Sequence, residues 1–183
     1  MLKTLAILFF MICTLSSFAD IFSLHHHNDS INASPQTNYD KIDSVLISSL
    51  SGYSIDKDLI TCYPLYEKIL EWMGTPYRFG GNSKKGIDCS RLVIQLTNGI
   101  YYDSINGSAA TLYEASYKLG REELSEGDLI FFKINKSYVS HVGVYLQNDL
   151  FVHATRGKGV MVSSLTAPYY KKYFFGAGRW MTN

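Results

Sequence analysis

The sequence predicts an α+β domain, with helices first and an antiparallel sheet second. Two observations carry this reading. In the N-terminal half, apolar residues recur at helical spacing: Ile42, Val45, Leu46, Ile47 and Leu50, then Leu65, Tyr66, Ile69, Leu70 and Met73. In the C-terminal half they alternate, in His141–Leu146 and Leu150–Thr155, or run continuously, in Leu129–Phe132. The 183 residues suit one domain, and 46% hydrophobic against 18% charged residues is a globular composition. Lys plus Arg is 17 and Asp plus Glu is 16. That balance gives no field to steer a polyanion, so nucleic acid is not an expected partner.

The chain opens on a targeting pattern. Lys3 supplies a positive start, Leu5 to Leu15 is nearly all apolar, and Ser17 and Ala19 flank Phe18 ahead of Asp20. Residues 1–19 therefore read as a secretory signal. The apolar run is shorter than the roughly 20 residues of a bilayer span, so no stable membrane insertion is expected once the signal is removed. The location expected is secreted or periplasmic. Cys13 follows bulky Phe10-Met11-Ile12, unlike a lipid-attachment cysteine. The mature chain then keeps two cysteines, Cys62 and Cys89, too few for a disulfide scaffold.

Residues 20–60 read as an arm that includes a helix. The arm begins polar and irregular, and His25-His26-His27 lies in that solvated stretch. The helix runs from Asp40 until Ser51-Gly52 stops it. The domain proper is read as 61–183. Its first helix carries the Leu65–Met73 stripe and ends at Gly74-Thr75-Pro76. A glycine-containing loop, Tyr77 to Ile87, precedes a helix from Asp88 to Asn98-Gly99. A shorter helix is expected over Ala109–Leu119, then a turn at Glu126-Gly127. Leu129–Phe132 reads as a strand buried on both faces. Gln147-Asn148-Asp149 joins the next two strands as a hairpin. Val160–Ser164 and Tyr173–Arg179 complete the sheet.

Chemistry concentrates at Asp88-Cys89-Ser90. Asp88 is a good N-cap, which puts Cys89 in the first helical turn, where unpaired N–H groups and the helix dipole favour a thiolate. Cys89 is in phase with Leu92, Val93, Leu96 and Ile100, so it leaves the helix on the packed face. A buried core cysteine fits the same pattern, and Asp-Cys-Ser alone does not separate the two. The histidines add to it. His141, Gly143 and Tyr145 share the strand face opposite Val142, Val144 and Leu146. If Leu146 pairs with Leu150, His153 lies opposite Gly143, on the face of His141. A thiol, a base and a polar partner for the base are what nucleophilic catalysis needs. Cys plus two His is also a zinc donor set.

The motifs together resemble the NlpC-type cysteine peptidases of the bacterial cell wall. The matching stretches are Gly74-Thr75-Pro76-Tyr77-Arg78-Phe79-Gly80-Gly81, Gly86-Ile87-Asp88-Cys89-Ser90, Glu126 to Phe132, His141 to Tyr145, and Phe151 to Ala154, in order within Leu65 to Trp180. The resemblance implies a papain-like core, with N-terminal helices packed on a five- to six-stranded antiparallel sheet. It implies Cys89 as nucleophile, His141 as general base and acid, and His153 as the residue orienting His141. It implies Tyr77 beside the nucleophile or its oxyanion. Asp88 and Ser90 would line the substrate pocket, with Arg91 next to them. The substrate implied is the stem peptide of peptidoglycan, for an endopeptidase acting as a monomer in wall remodelling or lysis. The resemblance and the helix-start cysteine weigh against zinc, so neither metal nor cofactor is expected. The alternative is a non-catalytic wall-binding protein that retains the fold. Two departures stand out. Arg91 occupies a position where the family usually has Gly, and Asn106-Gly107-Ser108-Ala109-Ala110-Thr111 replaces an Arg-Thr-Ser-like stretch.

Overall fold

The computed structural model of the chain describes residues 50–53 and 55–180. The expected signal segment, most of the arm and the helix from Asp40 lie outside the described residues, except for Leu50, which is helical and buried. Ahead of the first full helix come two short 3-10 turns, Ser51–Tyr53 and Lys57–Leu59. Gln147 clamps this approach. Its Oε1 accepts from Asp56 N–H (2.8 Å) and its Nε2 donates to Asp56 O (3.0 Å).

Helix α1 is Tyr63–Trp72, with Pro64 in its first turn, where a missing N–H costs nothing. It buries Leu65, Tyr66, Ile69 and Trp72. The expected loop from Tyr77 holds a small ribbon, β1 Asn82–Ser83 against β2 Gly86–Ile87. Helix α2 is Cys89–Thr97, capped by Asp88 as expected, and buries Cys89, Leu92, Val93, Leu96 and Thr97. Helix α3 is Ala109–Ala115. It stops four residues short of the expected end, and Ser116–Leu119 form strand β3 instead. Ser116 Oγ donates to Leu112 O (2.6 Å), which closes the last turn, and the backbone then pairs with the strand beside it. Tertiary pairing overrides helical propensity here.

The remaining strands are β4 Leu129–Phe132, β5 His141–Tyr145, β6 Leu150–Thr155, β7 Gly159–Ser164 and β8 Phe174–Trp180, with a short helix α4, Pro168–Tyr173, between the last two. The sequence reading did not anticipate α4. The six-stranded sheet has the order β3-β8-β4-β5-β6-β7, antiparallel throughout. Strand β4 lies between β8 and β5, and all four of its residues are buried, as its unbroken apolar run predicts. Asn148 and Asp149 both take positive φ (49° and 62°) in the β5–β6 turn, a backbone that these two residue types tolerate. The hairpin pairs Val144 with Val152 and Tyr145 with Phe151, the expected register.

The sheet separates two apolar clusters. The larger joins Val142, Val144, Val152, Ala154 and Val162 to the buried residues of α1, α2 and α3. The smaller gathers Ile130, Phe132, Phe151, Leu165 and Ala177, with Tyr170 and Tyr173 of α4 against them. Alternation within β5 and β6 thus sends aliphatic side chains to one face and aromatic and histidine side chains to the other. Buried Asp128 ties the sheet at the start of β4. Its carboxylate accepts from Arg179 Nε (2.7 Å) and Nη2 (2.8 Å) on β8.

Candidate active site

The start of α2 is built around one carboxylate. Asp88 Oδ1 accepts from Arg91 N–H (2.8 Å) and Ser90 Oγ (3.0 Å), and Oδ2 accepts from Gly80 N–H (3.0 Å). Asp88 therefore caps the helix and pins the Gly80 loop beside it. Cys89, the first helical residue, is only 7% exposed. Helix α2 packs across β5 and β6, and the backbone N–H groups of Val142, Ser90 and Cys89 face its sulfur.

Those N–H groups do not give a reactive thiolate at rest. Burial pushes the Cys89 thiol up to about 11, the three N–H groups pull the other way, and the Asp88 charge pushes further up. The helix start thus lowers the thiol less than desolvation raises it. This corrects the expectation of a thiolate-rich cysteine drawn from helix position alone.

His141 and His153 meet on the sheet face that the strand alternation predicts. His141 Nε2 lies 2.8 Å from His153 Nδ1, with ring centroids 5.0 Å apart and planes at 85°. Gly143 makes the meeting possible. A β-carbon there would stand 2.7 Å from Val152 O and 3.2 Å from the His153 β-carbon. Burial lowers the His141 imidazole to about 4 and holds His153 well below its ordinary value, with the neighbouring His141 adding to the effect on His153. Both rings are therefore neutral at pH 7. Among the described residues, His141 Nδ1 makes no hydrogen bond, and none joins Cys89 to His141. The sulfur instead adjoins the N–H of Val142, the next residue along β5.

Tyr77 is half-buried and bridges to Ile87. Burial raises its phenol, the Cys89 sulfur adds to this, and Arg156 opposes it from 5.9 Å over the ring. Ser90 donates only to Asp88, so both residues hold the helix start together. Arg91 Nη1 donates to Asn106 Oδ1 (3.2 Å), which joins the two departures from the family pattern. Next to this cluster Phe79 is 83% exposed.

Three residues at the site escaped the sequence reading. Arg156 lies in the β6–β7 turn. Ser163 Oγ and Tyr170 Oη lie 3.0 Å and 3.1 Å from His153 Nε2. Ser163 left a faint signal, a serine on the face of β7 opposite to Val160 and Val162. Tyr170 left none, because its short helix has no readable period.

Comparisons with known proteins bear on this geometry. The family model described as NlpC/P60 family matches residues 74–179. A probable endopeptidase NlpC homolog of Haemophilus influenzae is 37% identical over 134 residues, 73% of this chain and 66% of that protein. The murein DD-endopeptidase MepS/murein LD-carboxypeptidase of Escherichia coli K12 is 36% identical over 115 residues, 63% of this chain and 61% of that protein. The chain thus matches no more than 66% of the length of either. A solved structure from Staphylococcus aureus Mu50, titled as similar to lipoprotein of the NLP/P60 family, aligns with a TM-score of 0.59 at 30% identity over 75% of this chain and 48% of that one. The core of helices on an antiparallel six-stranded sheet is the papain-like arrangement of these domains. By sequence and by fold, the chain belongs to the NlpC/P60 family.

Proposed function

We propose that the protein is a cysteine endopeptidase that hydrolyses amide bonds in peptidoglycan stem peptides, outside the cytoplasm, after removal of residues 1–19. One observation carries the mechanism. The His141–His153 hydrogen bond uses Nε2 of His141 and leaves Nδ1 open, on the strand residue adjoining the Val142 N–H that faces the Cys89 sulfur. The names of relatives, murein endopeptidase among them, supply the substrate class.

In this reading Cys89 Sγ attacks the scissile carbonyl and its proton passes to His141 Nδ1 in the same step, since thiol and imidazole are both neutral at rest. Catalytic hydrogen bonds are often long in ligand-free sites and tighten around substrate. The Cys89 N–H and the Tyr77 hydroxyl face the developing oxyanion. The tetrahedral adduct collapses, the carbon–nitrogen bond breaks, and the imidazolium gives its proton to the leaving amine. A water then attacks the thioester, with His141 again taking the proton, and releases the acid and the thiol. His153 orients His141 throughout. Asp88 and Ser90 shape the pocket for the peptide, and Arg91 offers a cation at its rim.

The test is digestion of purified peptidoglycan by the exported protein, with mass spectrometry of the released fragments. New amine and carboxyl ends within stem peptides, absent with Cys89→Ala, are the expected result. Tight wall binding with no new ends would instead establish the non-catalytic wall-binding alternative.

A further inference from the structure

We propose that the outer face of α4 and the adjoining start of the β4–β5 loop form a carbohydrate-binding surface, which holds the glycan strand of peptidoglycan while one of its stem peptides enters the site. This rests on the function proposed above and adds a second contact surface to it. The sequence carries the first sign. The whole chain is nearly neutral, but residues 129–183 hold seven Lys or Arg and a single acid, Asp149, leaving 10 bases and 15 acids to residues 1–128. Asp149 is itself paired with Arg121 (2.8 Å). Lys133, Lys171 and Lys172 thus stand in stretches without acids, and none of them forms an ion pair with another described residue.

Aromatic rings lie among these cations. Lys133 N–H donates to Tyr173 O (3.0 Å) and the Tyr173 hydroxyl donates to Asn135 Oδ1 (2.8 Å), so loop and helix make one surface. Lys133 Nζ lies 3.7 Å over the Phe175 ring, and Lys172 Nζ 5.1 Å over that of Tyr173. Tyr169, one turn before Tyr173, meets it edge-on with centroids 5.0 Å apart. Tyr169 and Phe175 are 50% and 40% exposed. Phe175 is turned out by a bulge: Phe131 pairs with Gly176 and Phe132 with Phe174, so Phe175 is the extra residue of β8. Tyr170 anchors α4 from within, edge-on to Phe151 and Phe132 at 5.0 Å and 5.6 Å. The outer rings are thus in place before a ligand arrives, which keeps the ordering cost of binding low. Exposed rings flanked by ammonium groups fit a sugar chain that carries carboxylates. The C–H faces of the sugars lie on the rings, and the lysines meet hydroxyls and carboxylates. Peptidoglycan is such a polymer, and position favours it over other polyanions. Phe132 pairs with His141 on one side and with Phe174 on the other, so the surface opens at the end of the sheet where His141 stands. A glycan strand held there raises the local concentration of its stem peptides at Cys89.

The experiment measures binding with the Cys89→Ala chain, which cannot cut what it holds. Glycan strands stripped of their peptides by an amidase should bind and perturb the ring signals of Tyr169 and Tyr173 in NMR spectra. Tyr169→Ala with Phe175→Ser should weaken co-sedimentation with purified peptidoglycan at least about fivefold. Lys133→Gln with Lys172→Gln should weaken it at low salt, with the gap closing as ionic strength rises. With Cys89 restored, each pair of substitutions should lower kcat/KM on intact peptidoglycan at least about fivefold relative to kcat/KM on a free stem peptide. Glycan strands that leave the rings unperturbed overturn the proposal, as do variants that bind like the parent or lose activity equally on both substrates. Tighter binding to single-stranded DNA or to phosphatidylglycerol vesicles than to peptidoglycan overturns it too. Should Phe175→Ser fail to fold, Tyr169→Ala alone, at an exposed position, decides it. Should the wild type lack turnover, the binding measurements still decide this proposal, while the functional reading alone falls.

Discussion

Two buried thiols stand at the starts of two helices. Cys62 is the N-cap of α1 and Cys89 the first residue of α2, at 5% and 7% exposure. Sequence separates them only by a capping aspartate. What faces each one separates them further. Over Cys89 lies the start of β5, with the Val142 N–H at the sulfur. Around Cys62 lie the phenols of Tyr66 and Tyr101, and Tyr101 donates to Glu126 Oε1 (2.8 Å). A helix start alone does not set a thiol's surroundings: the opposing element does, bringing backbone donors to Cys89 and a carboxylate and phenols to the neighbourhood of Cys62.

The sharpest way to break this contrast is to remove each sulfur. Cys89→Ala should abolish hydrolysis, while Cys62→Ala should keep kcat within a few-fold and cost about 1 kcal/mol in a denaturant melt, for a small cavity. Comparable activity losses at both positions would dissolve the distinction. Next come the two histidines. His141→Ala should lower kcat roughly 10³–10⁴-fold, and His153→Asn less, because an amide can still orient a ring. Single-turnover rates measure both.

Acid stability probes the same side of the molecule. His141 has a folded value of about 4, below its ordinary 6.5, so the unfolded chain binds more protons between those pH values. Stability should be complete above about pH 6.5 and fall by about 3 kcal/mol as pH drops through 4, with His153 adding in the same direction. Urea melts from pH 7 to 4 test this, and a flat profile would mean that the histidines are not buried neutral. Thiol reactivity sharpens it further. With the Cys89 thiol near 11, alkylation by iodoacetamide should be slow at pH 6 and climb through pH 9, instead of levelling off below the ordinary cysteine value of about 8.5. Peptide mapping follows each cysteine separately. The smallest effect is expected at the rim. Arg91→Gly should leave kcat alone and raise KM a few-fold at low salt, an effect that fades as ionic strength rises.

Much of this was legible in the sequence. Asp88 announced the helix that carries Cys89, and alternation in β5 and β6 put His141 and His153 on one face in the observed register. The thiol's acidity was not legible, because helix position is local while desolvation depends on how α2 packs on the sheet. The end of α3 was misread because Ser116–Leu119 respond to a partner strand far along the chain, at Phe174–Trp180. Ser163 and Tyr170 were missed because β7 and α4 reach His153 only through tertiary folding.

That early end of α3 has a consequence for behaviour in concentrated solution. An open sheet exposes two edges, and an unguarded edge is a template for strands of other molecules. Here one edge is β3, four residues long and carrying Lys118, whose ammonium folds back onto the carbonyl oxygens of Tyr113 and Ser116. The other is β7, where Val160 exchanges hydrogen bonds with Gly74 and Thr75. A brief charged strand on one side and a chain segment laid along the other guard the domain against aggregation by edge pairing. Replacing Lys118 with a β-branched apolar residue would remove the guard on the β3 side.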